Sequence, residues 1–518
     1  MKKYDVIVIG TGAGNIVTDA ALDSGLKVAQ IEKGKFGGTC LTRGCIPTKV
    51  MVTVADFIRE NQKAKKIGIK TQDVEVDWKV LSERVWSKIN ESIDILEEYK
   101  KEKNLDVYEG TGFFVRDKVL QVKYNNGELS EEITADKIIL AAGARSRRID
   151  NVEGALETAY ITTEDFFGEK FPKKPYKSLI IVGGGAIGTE FAHFFSSLGT
   201  KVTLVQSRDR LIPRSDRAIS EQLGKMLSKY GVDLRFNSEL KELKMNGNEK
   251  ILIIKNKTSG EVSEIHGEEV LVAAGVIPNT DLLKVENSNI LTDKAGWIRT
   301  NEFLETSVDG VYAIGDINGH GQLRHKANYE ADIIVNNLFP AALPLGQIEE
   351  GKEAERRFAR FDTIPAVVYT YPQVAQVGYT EEAARELAEE KNWDIRVGYN
   401  YYSSTAKGYA MGYNEGEAED GFVKVVIDVK SKKILGAHII GSEASLLIQP
   451  YATMLATGNI EHVIFEPEIG TEETKKMRGK RHSRYLDPQK ITSITESVTA
   501  HPALTEVAMW TQYFVPMK

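Results

Sequence analysis

Cysteine is nearly absent: the 518-residue chain has two, Cys40 and Cys45. That scarcity excludes a disulfide-stapled scaffold, and a bridge across so short a loop would restrict the unfolded chain little. No stretch approaches the ~18 consecutive apolar residues of a membrane span, so no transmembrane helix is expected. A signal peptide is not expected either. The apolar run Val6–Ile9 behind the charged head Met1–Asp5 is short, and no small-residue cleavage site follows. A cytoplasmic location is the expectation. Positive charge is not in excess: the net charge is -7, which argues against a broad nucleic-acid surface. The rest is an ordinary globular composition, in a chain too long for one core and sized for about three domains.

Both cysteines fall in one stretch, Gly37-Gly38-Thr39-Cys40-Leu41-Thr42-Arg43-Gly44-Cys45-Ile46-Pro47-Thr48-Lys49. Two thiols can be mere small hydrophobes. The sharper reading is a dithiol/disulfide couple that carries two electrons and needs a redox partner.

The chain offers one. Tyr4–Ile9 reads as a buried parallel strand, followed by the turn Gly10-Thr11-Gly12-Ala13-Gly14-Asn15, a helix, and a second strand, Lys27–Ile31, ending at Glu32. Glycines let the backbone approach a pyrophosphate, the helix N-terminus offers free N–H groups, and the acid accepts from ribose hydroxyls. A second copy runs from strand Ser178–Val182 through Gly183-Gly184-Gly185-Ala186-Ile187-Gly188 and a helix to strand Lys201–Val205, ending at Gln206. Two such units predict two dinucleotides, or one very large one. Ile138–Gly143 and Val270–Gly275 read as matching strand ends that return to these sites, and the apolar run into Gly315-Asp316 as a strand delivering a carboxylate to a ligand hydroxyl.

Taken together, the cysteine stretch, the twin glycine turns and the Gly-Asp strand resemble the FAD-dependent pyridine nucleotide–disulfide oxidoreductases, class I. That family includes lipoamide dehydrogenase and the reductases of glutathione, mycothiol and mercuric ion. The resemblance implies an α/β fold with two Rossmann-like dinucleotide-binding domains and an α+β dimerisation domain. The implied boundaries are 1–150 for the first part of the FAD domain, 151–280 for the NAD(P) domain, 281–358 for the central FAD part and 359–518 for the interface domain. It implies an enzyme passing two electrons between NAD(P)H, FAD, the cysteine pair and a small dithiol or disulfide. Lipoamide dehydrogenase-like activity leads, ahead of a mycothiol- or glutathione-type reductase. A non-catalytic redox-sensing flavoprotein is the reading from another class.

The resemblance also assigns residues. Gly10, Gly12, Gly14, Glu32, Lys33, Gly38, Thr39, Gly112, Gly143, Asp316 and Arg324 are implied for FAD. Gly183, Gly185, Ala186, Ile187, Gly188, Gln206 and Gly275 are implied for the nicotinamide nucleotide, NAD(H) or NADP(H). Cys45 becomes the charge-transfer thiolate beside the flavin and Cys40 the interchange thiol. Lys49 and Glu190 form the pair at the flavin's reactive edge. His501 becomes the base and Glu506 its orienter, with the histidine reaching in from the other subunit of a homodimer; Pro502 is a candidate cis proline.

Several positions depart from the family pattern. Arg43 between the cysteines predicts an activated thiol pair or an acidic substrate; a charge at 4 Å is worth roughly 1 kcal/mol in water and about 4 at an effective dielectric of 20. Gln206 replaces an acid, which leaves NADH and NADPH open. Arg324 stands where relatives carry a small residue. Asn15 is shared with the mycothiol-type reductases, and Thr499 lies where lipoamide dehydrogenases often have a second histidine. A charged segment, about 464–494, interrupts the last domain. It is expected as a solvated insertion, with the run Lys475–His482 as a docking surface for an acidic lipoyl carrier domain the alternative. No cysteine follows Trp510, which disfavours the high-molecular-weight thioredoxin reductases, and no extra thiol pair is present for mercuric ion.

Overall fold

The computed structural model describes residues 1–72, 74–342, 356–463, 469–490, 493 and 496–510. Its first unit is built on Lys2–Ile9, which pairs in parallel with Val28–Glu32 on one side and Ile133–Leu140 on the other. Val6, Ile7 and Val8 are fully buried, as a parallel strand covered on both faces requires. Leu105–Arg116 continues the sheet beyond Val28–Glu32, and Val311–Ala313 extends it beyond Ile133–Leu140. The helices Gly14–Asp23 and Arg324–Leu338 contribute Val17, Ala21, Ala331 and Ile334 to one core beneath it.

The second unit is a five-stranded parallel sheet in the order Asp233–Arg235, Lys201–Val205, Ser178–Val182, Glu269–Val272, Ile161–Thr162. A three-stranded antiparallel sheet, Ser238–Asn246, Glu249–Asn256 and Val262–Gly267, supplies Leu243, Leu252 and Ile265 to its core. A short ladder, Ala144–Ser146 against Val276–Pro278, ties the chain where it enters and leaves this unit.

The C-terminal unit is a five-stranded antiparallel sheet ordered Ala366–Val368, Gln373–Gly378, Lys433–Gly441, Phe422–Asp428, Ile395–Tyr401. The long helix Cys45–Ala64 is the element all three units share. Its Met51, Val52 and Ala55 are buried in one cluster with Phe191, Phe194 and Phe195 of the helix Ala186–Ser197 and with Val368, Tyr369 and Val374. The expected mixed α/β architecture is therefore observed.

The charged segment is largely exposed, as expected from composition, but it is anchored at a few buried residues. Positions 464–468, 491–492 and 494 lie outside the described residues. Of the remainder, Arg481–Leu486 pairs antiparallel with Gly458–Val463, the strand that precedes the segment. Ile460 and Leu486 are buried against Phe303 and Phe358, and Thr474 donates through Oγ1 to Glu305 Oε2 at 2.7 Å. An apolar residue at each arm of the ladder gives the segment a face to bury despite its many charges. Among the basic residues, Lys475 pairs with Glu472 at 3.1 Å.

The second and third units are joined by a buried charge cluster. Lys424 Nζ lies 2.8 Å from Asp216 Oδ1 and 2.6 Å from Glu381 Oε2, and Asp216 also caps the helix Arg217–Lys229 through Ala218 N. Lys424→Met would strand a fully buried carboxylate. It should lower unfolding free energy by about 3–5 kcal/mol, read as a reduced urea midpoint.

Candidate active site

Both glycine turns solve the same steric problem. Gly10 and Gly183 each leave a strand with φ of +103° and +113°. A Cβ on Gly10 would stand 2.2 Å from Ala141 O, and one on Gly183 2.3 Å from Ala273 O, in each case the end of the neighbouring strand. Only glycine combines that φ with that approach.

The first turn opens into a cleft of about 180 Å³. Its lining includes Gly10, Gly12, Glu32, Lys33, Gly38, Thr39, Cys40, Cys45, Gly112, Gly143, Asp316 and Arg324. Gly14 lies just beneath, where a Cβ would press 2.9 Å from Val8 Cγ1. Glu32 Oε2 accepts from Thr11 N at 3.0 Å and Thr11 Oγ1 at 2.7 Å, so the acid also braces the turn. Asp316 is pushed up to about 6 by burial, against the pull of Lys326 and Arg324. Burial lowers Lys33 below the usual lysine range, and the Arg43 charge adds to it. A cleft whose lining combines two carboxylates, side-chain-free glycine turns and two thiols fits FAD.

The second turn is open. Ala186 and Ile187 are exposed and nothing stands within 4 Å of a Cβ built on Gly185 or Gly275, whereas one on Gly188 would meet Gly183 O at 1.8 Å. Gln206 does not face outward to a ribose. It is buried, its Nε2 donates to Arg210 O at 3.1 Å and its Oε1 accepts from Ser207 N at 2.9 Å. An amide without charge can be folded into its own loop in this way, and Arg208 is left exposed beside it.

The cysteines sit on two helices, Gly38–Arg43 and Cys45–Ala64, parted by the single residue Gly44. Both are free thiols. Their sulfurs and His501 Nε2 lie within 4.8 Å of one another. The Cys40 thiol hydrogen-bonds Cys45 and holds it down to about 7 against burial, with Lys49 and His501 helping. Cys40 is pushed up by the same bond and by burial, with Arg324 and Lys49 opposing. Arg43, expected to act on the pair, puts its charge on Lys33 and Lys35.

Lys49 projects one turn beyond Cys45, and its Nζ is 2.7 Å from Glu190 Oε2 and 4.2 Å from the Tyr369 ring centroid. Glu190 Oε1 accepts from Tyr369 N at 2.9 Å, and Tyr369 Oη donates to Pro502 O at 2.7 Å. His501 Nε2 is 3.3 Å from Cys40 Sγ, and Nδ1 is 2.5 Å from Glu506 Oε1. With Glu506 ionised, Nδ1 carries the proton and Nε2 faces the thiol as acceptor. The His501–Pro502 bond is cis. Within this one chain the His501 ring stands against Cys40. Two contributors were missed. Tyr369 lies inside the run Pro365–Pro372 but offers no local motif. His325 accepts from His501 N at 3.3 Å and donates to Pro365 O at 2.6 Å, and burial lowers it to about 4, which keeps it neutral.

These residues align with known proteins. The family described as pyridine nucleotide-disulphide oxidoreductase matches residues 4–331, and the dimerisation domain of the same description matches 364–469. A dihydrolipoyl dehydrogenase of Bacillus subtilis is 30% identical over 454 residues, covering 86% of this chain and 90% of its own. A mycothione reductase of Mycobacterium tuberculosis is 33% identical over 459 residues, covering 88% and 94%. Among solved structures, the Cu(II) complex of the HOCl-induced flavoprotein disulfide reductase RclA from Escherichia coli has a TM-score of 0.72 at 24% identity, covering 100% of both chains; it bears on the fold alone.

The thiol environment yields a pH test. Iodoacetamide capture of Cys45 in the reduced protein should titrate with a midpoint near 7, and Lys49→Met should move that midpoint upward. A wild-type midpoint at the ordinary thiol value of about 8.5 would contradict the assignment. At the second turn, Gly188→Ala should weaken nicotinamide-nucleotide binding more than about tenfold (1.4 kcal/mol) while leaving the first cleft intact, measured by nucleotide titration alongside flavin content.

Proposed function

The chain belongs to the pyridine nucleotide-disulphide oxidoreductase family, and from that premise we propose that it passes two electrons between NAD(P)H and a small apolar dithiol/disulfide of the lipoamide type, through FAD and the Cys40–Cys45 couple. The protein is an oxidoreductase with FAD and NAD(P)(H) as cofactors, and its dimerisation domain supports a homodimer. The observation that carries the reading is the line Glu506–His501–Cys40–Cys45, in which one thiol is held low and its neighbour faces an oriented imidazole.

Bound FAD supplies the two-electron relay between NAD(P)H and sulfur that reopens the bridge in each cycle. In this reading Glu32, the N–H groups of the first glycine turn, Arg324 and Asp316 would hold it, and the 183–188 turn would hold the nicotinamide nucleotide. Starting from the dithiol, His501 Nε2 takes the Cys40 proton and the Cys40 sulfur attacks one sulfur of the substrate. The substrate S–S bond breaks, and the leaving thiolate takes the proton back from His501. The Cys45 thiolate then attacks Cys40 Sγ, forming the Cys40–Cys45 bond and releasing the second substrate thiolate, which takes up a proton. The cysteine pair is oxidised by two electrons and the substrate reduced by two; the same steps in reverse oxidise a dithiol. Lys49 keeps a fixed cation beside Cys45, and Glu190 keeps Lys49 in place.

The substrate class is supported by what surrounds the base. Leu504 and Val507 are each 74% exposed and Trp510, stacked 6.4 Å from the His501 ring, is 39% exposed. Such an apolar rim suits a compact hydrocarbon-backed disulfide. Steady-state assays with lipoamide, dihydrolipoamide and bulkier hydrophilic thiol disulfides, each with both nicotinamides, should give lipoamide a kcat/KM advantage of about tenfold or more. A preference for a hydrophilic disulfide would reject the substrate class, and turnover of none would favour a redox sensor. His501→Gln should lower kcat by about 10²–10⁴-fold at unchanged FAD content.

A further inference from the structure

We infer that the second nucleotide unit of this chain is built for the phosphorylated nicotinamide nucleotide: the loop Gln206-Ser207-Arg208, with Lys257 against it, receives the 2′-phosphate of NADP(H) and prefers it to NAD(H). The inference rests on the reading of the 183–188 turn as the nicotinamide-nucleotide site and deepens it by naming the nucleotide.

In a unit of this kind the residue that ends the second strand meets the adenosine ribose. A carboxylate there accepts from the ribose hydroxyls and repels a 2′-phosphate, whereas a nearby arginine accommodates one. The first unit keeps such an acid, Glu32, at the end of Val28–Glu32. In the second unit the place falls to Gln206, directly after Lys201–Val205. Gln206 adjoins the glycine turn: a Cβ on Gly184 would stand 3.2 Å from its Nε2, and Ile212 N donates to Gly184 O at 2.6 Å.

The change does more than remove a charge. Gln206 could have stood in for the acid as an acceptor, but its Oε1 already takes Ser207 N and its Nε2 is given to Arg210 O. The side chain is 6% exposed. A ribose that carries only hydroxyls therefore loses the acceptor that this position would otherwise offer.

What the loop presents instead is cationic. Ser207 and Arg208 are exposed, and Asp209, the acid beside them, turns to Arg217 at 3.5 Å, so Arg208 makes no ion pair among the described residues. Arg208 O accepts from Asn237 N at 2.9 Å, which pins the backbone of the loop. Lys257 arrives from the end of the antiparallel strand Glu249–Asn256. Its Nζ donates to Ser207 O at 2.9 Å and its N to Asn237 O at 2.7 Å, so the ammonium is held on the same loop. The other acids nearby are engaged: Asp233 with Arg235 at 3.0 Å, and Glu239 with Lys241 at 2.9 Å. An exposed hydroxyl, a guanidinium fork and a point-charge ammonium, gathered where the carboxylate is missing, suit a phosphate and give a bare ribose nothing comparable.

Adenosine fragments test the subsite without turnover. The FAD-loaded full-length protein is titrated by calorimetry with adenosine 2′,5′-bisphosphate and with adenosine 5′-monophosphate, which differ only in the 2′-phosphate. The bisphosphate should bind about tenfold tighter or more, and added salt should erode that margin. Arg208→Met should weaken the bisphosphate about tenfold and leave the monophosphate within about twofold. Lys257→Met should narrow the same margin, and Gln206→Glu should abolish or invert it. Arg208 and Lys257 are exposed, so neither substitution threatens folding. Equal affinities, a tighter monophosphate, no binding of either fragment, or an unchanged margin in Arg208→Met would each overturn the inference. Neither fragment carries a nicotinamide, and neither reports on the thiols. A wild type that turns over no disulfide but holds the bisphosphate more tightly would sink the functional reading and keep this one. Lipoamide turnover together with equal fragment affinities would do the reverse.

Discussion

The site depends on a single ion pair, Lys49 with Glu190. Lys49 comes from the helix that begins at Cys45, Glu190 from the helix that follows the second glycine turn, and the peptide N–H of Tyr369, in the C-terminal unit, completes the carboxylate's coordination. Tyr369 then carries the connection on to Pro502, beside the base. Breaking a pair this buried leaves an uncompensated charge in low dielectric, so the three units are fixed in relative position at the point where electrons must cross from one to another. The aromatic cluster Phe191, Phe194 and Phe195 behind it supplies the apolar mass, while the ion pair supplies the direction.

The duplicated nucleotide units put one local solution to two uses. The first turn is set in a cleft lined by residues of both cysteine helices and by Arg324. The second presents Ala186 and Ile187 to solvent. An enclosed site keeps its cofactor from cycle to cycle and an open one lets a nucleotide come and go, which is the division of labour that an electron relay between a resident and a visiting carrier requires.

The elements near each motif were legible because their causes are local. β-Branched runs make Lys2–Ile9 and Ser178–Val182 strands, and the residue spacing at each turn follows from a backbone clash that only glycine escapes. Lys49, Glu190, His501 and Glu506 were also visible, since each sits in a short motif. What escaped was set by how loops and units fold onto one another, which no motif states. Gln206 is a plausible ribose reader until its loop folds over it. Arg43 is close to both cysteines in sequence, yet its charge bears on Lys33 and Lys35. His325 and Tyr369 become partners of the base only when units hundreds of residues apart are assembled. The segment 464–494 reads as solvated because its charges outnumber its apolar residues, yet Leu486 is buried with Ile460 of the strand before it.

Gly44 deserves a last consequence. With φ of -136° and ψ of -117° it separates two helices, and a Cβ there would stand 2.9 Å from Thr39 O. On one side Cys40, Leu41 and Thr42 are buried, and on the other Met51, Val52 and Ala55. Both arms are thus clamped, and the hinge between them is a single residue. Any side chain at that joint would press on the Thr39 carbonyl, so the tight corner that sets the two thiol-bearing helices side by side is open to glycine alone.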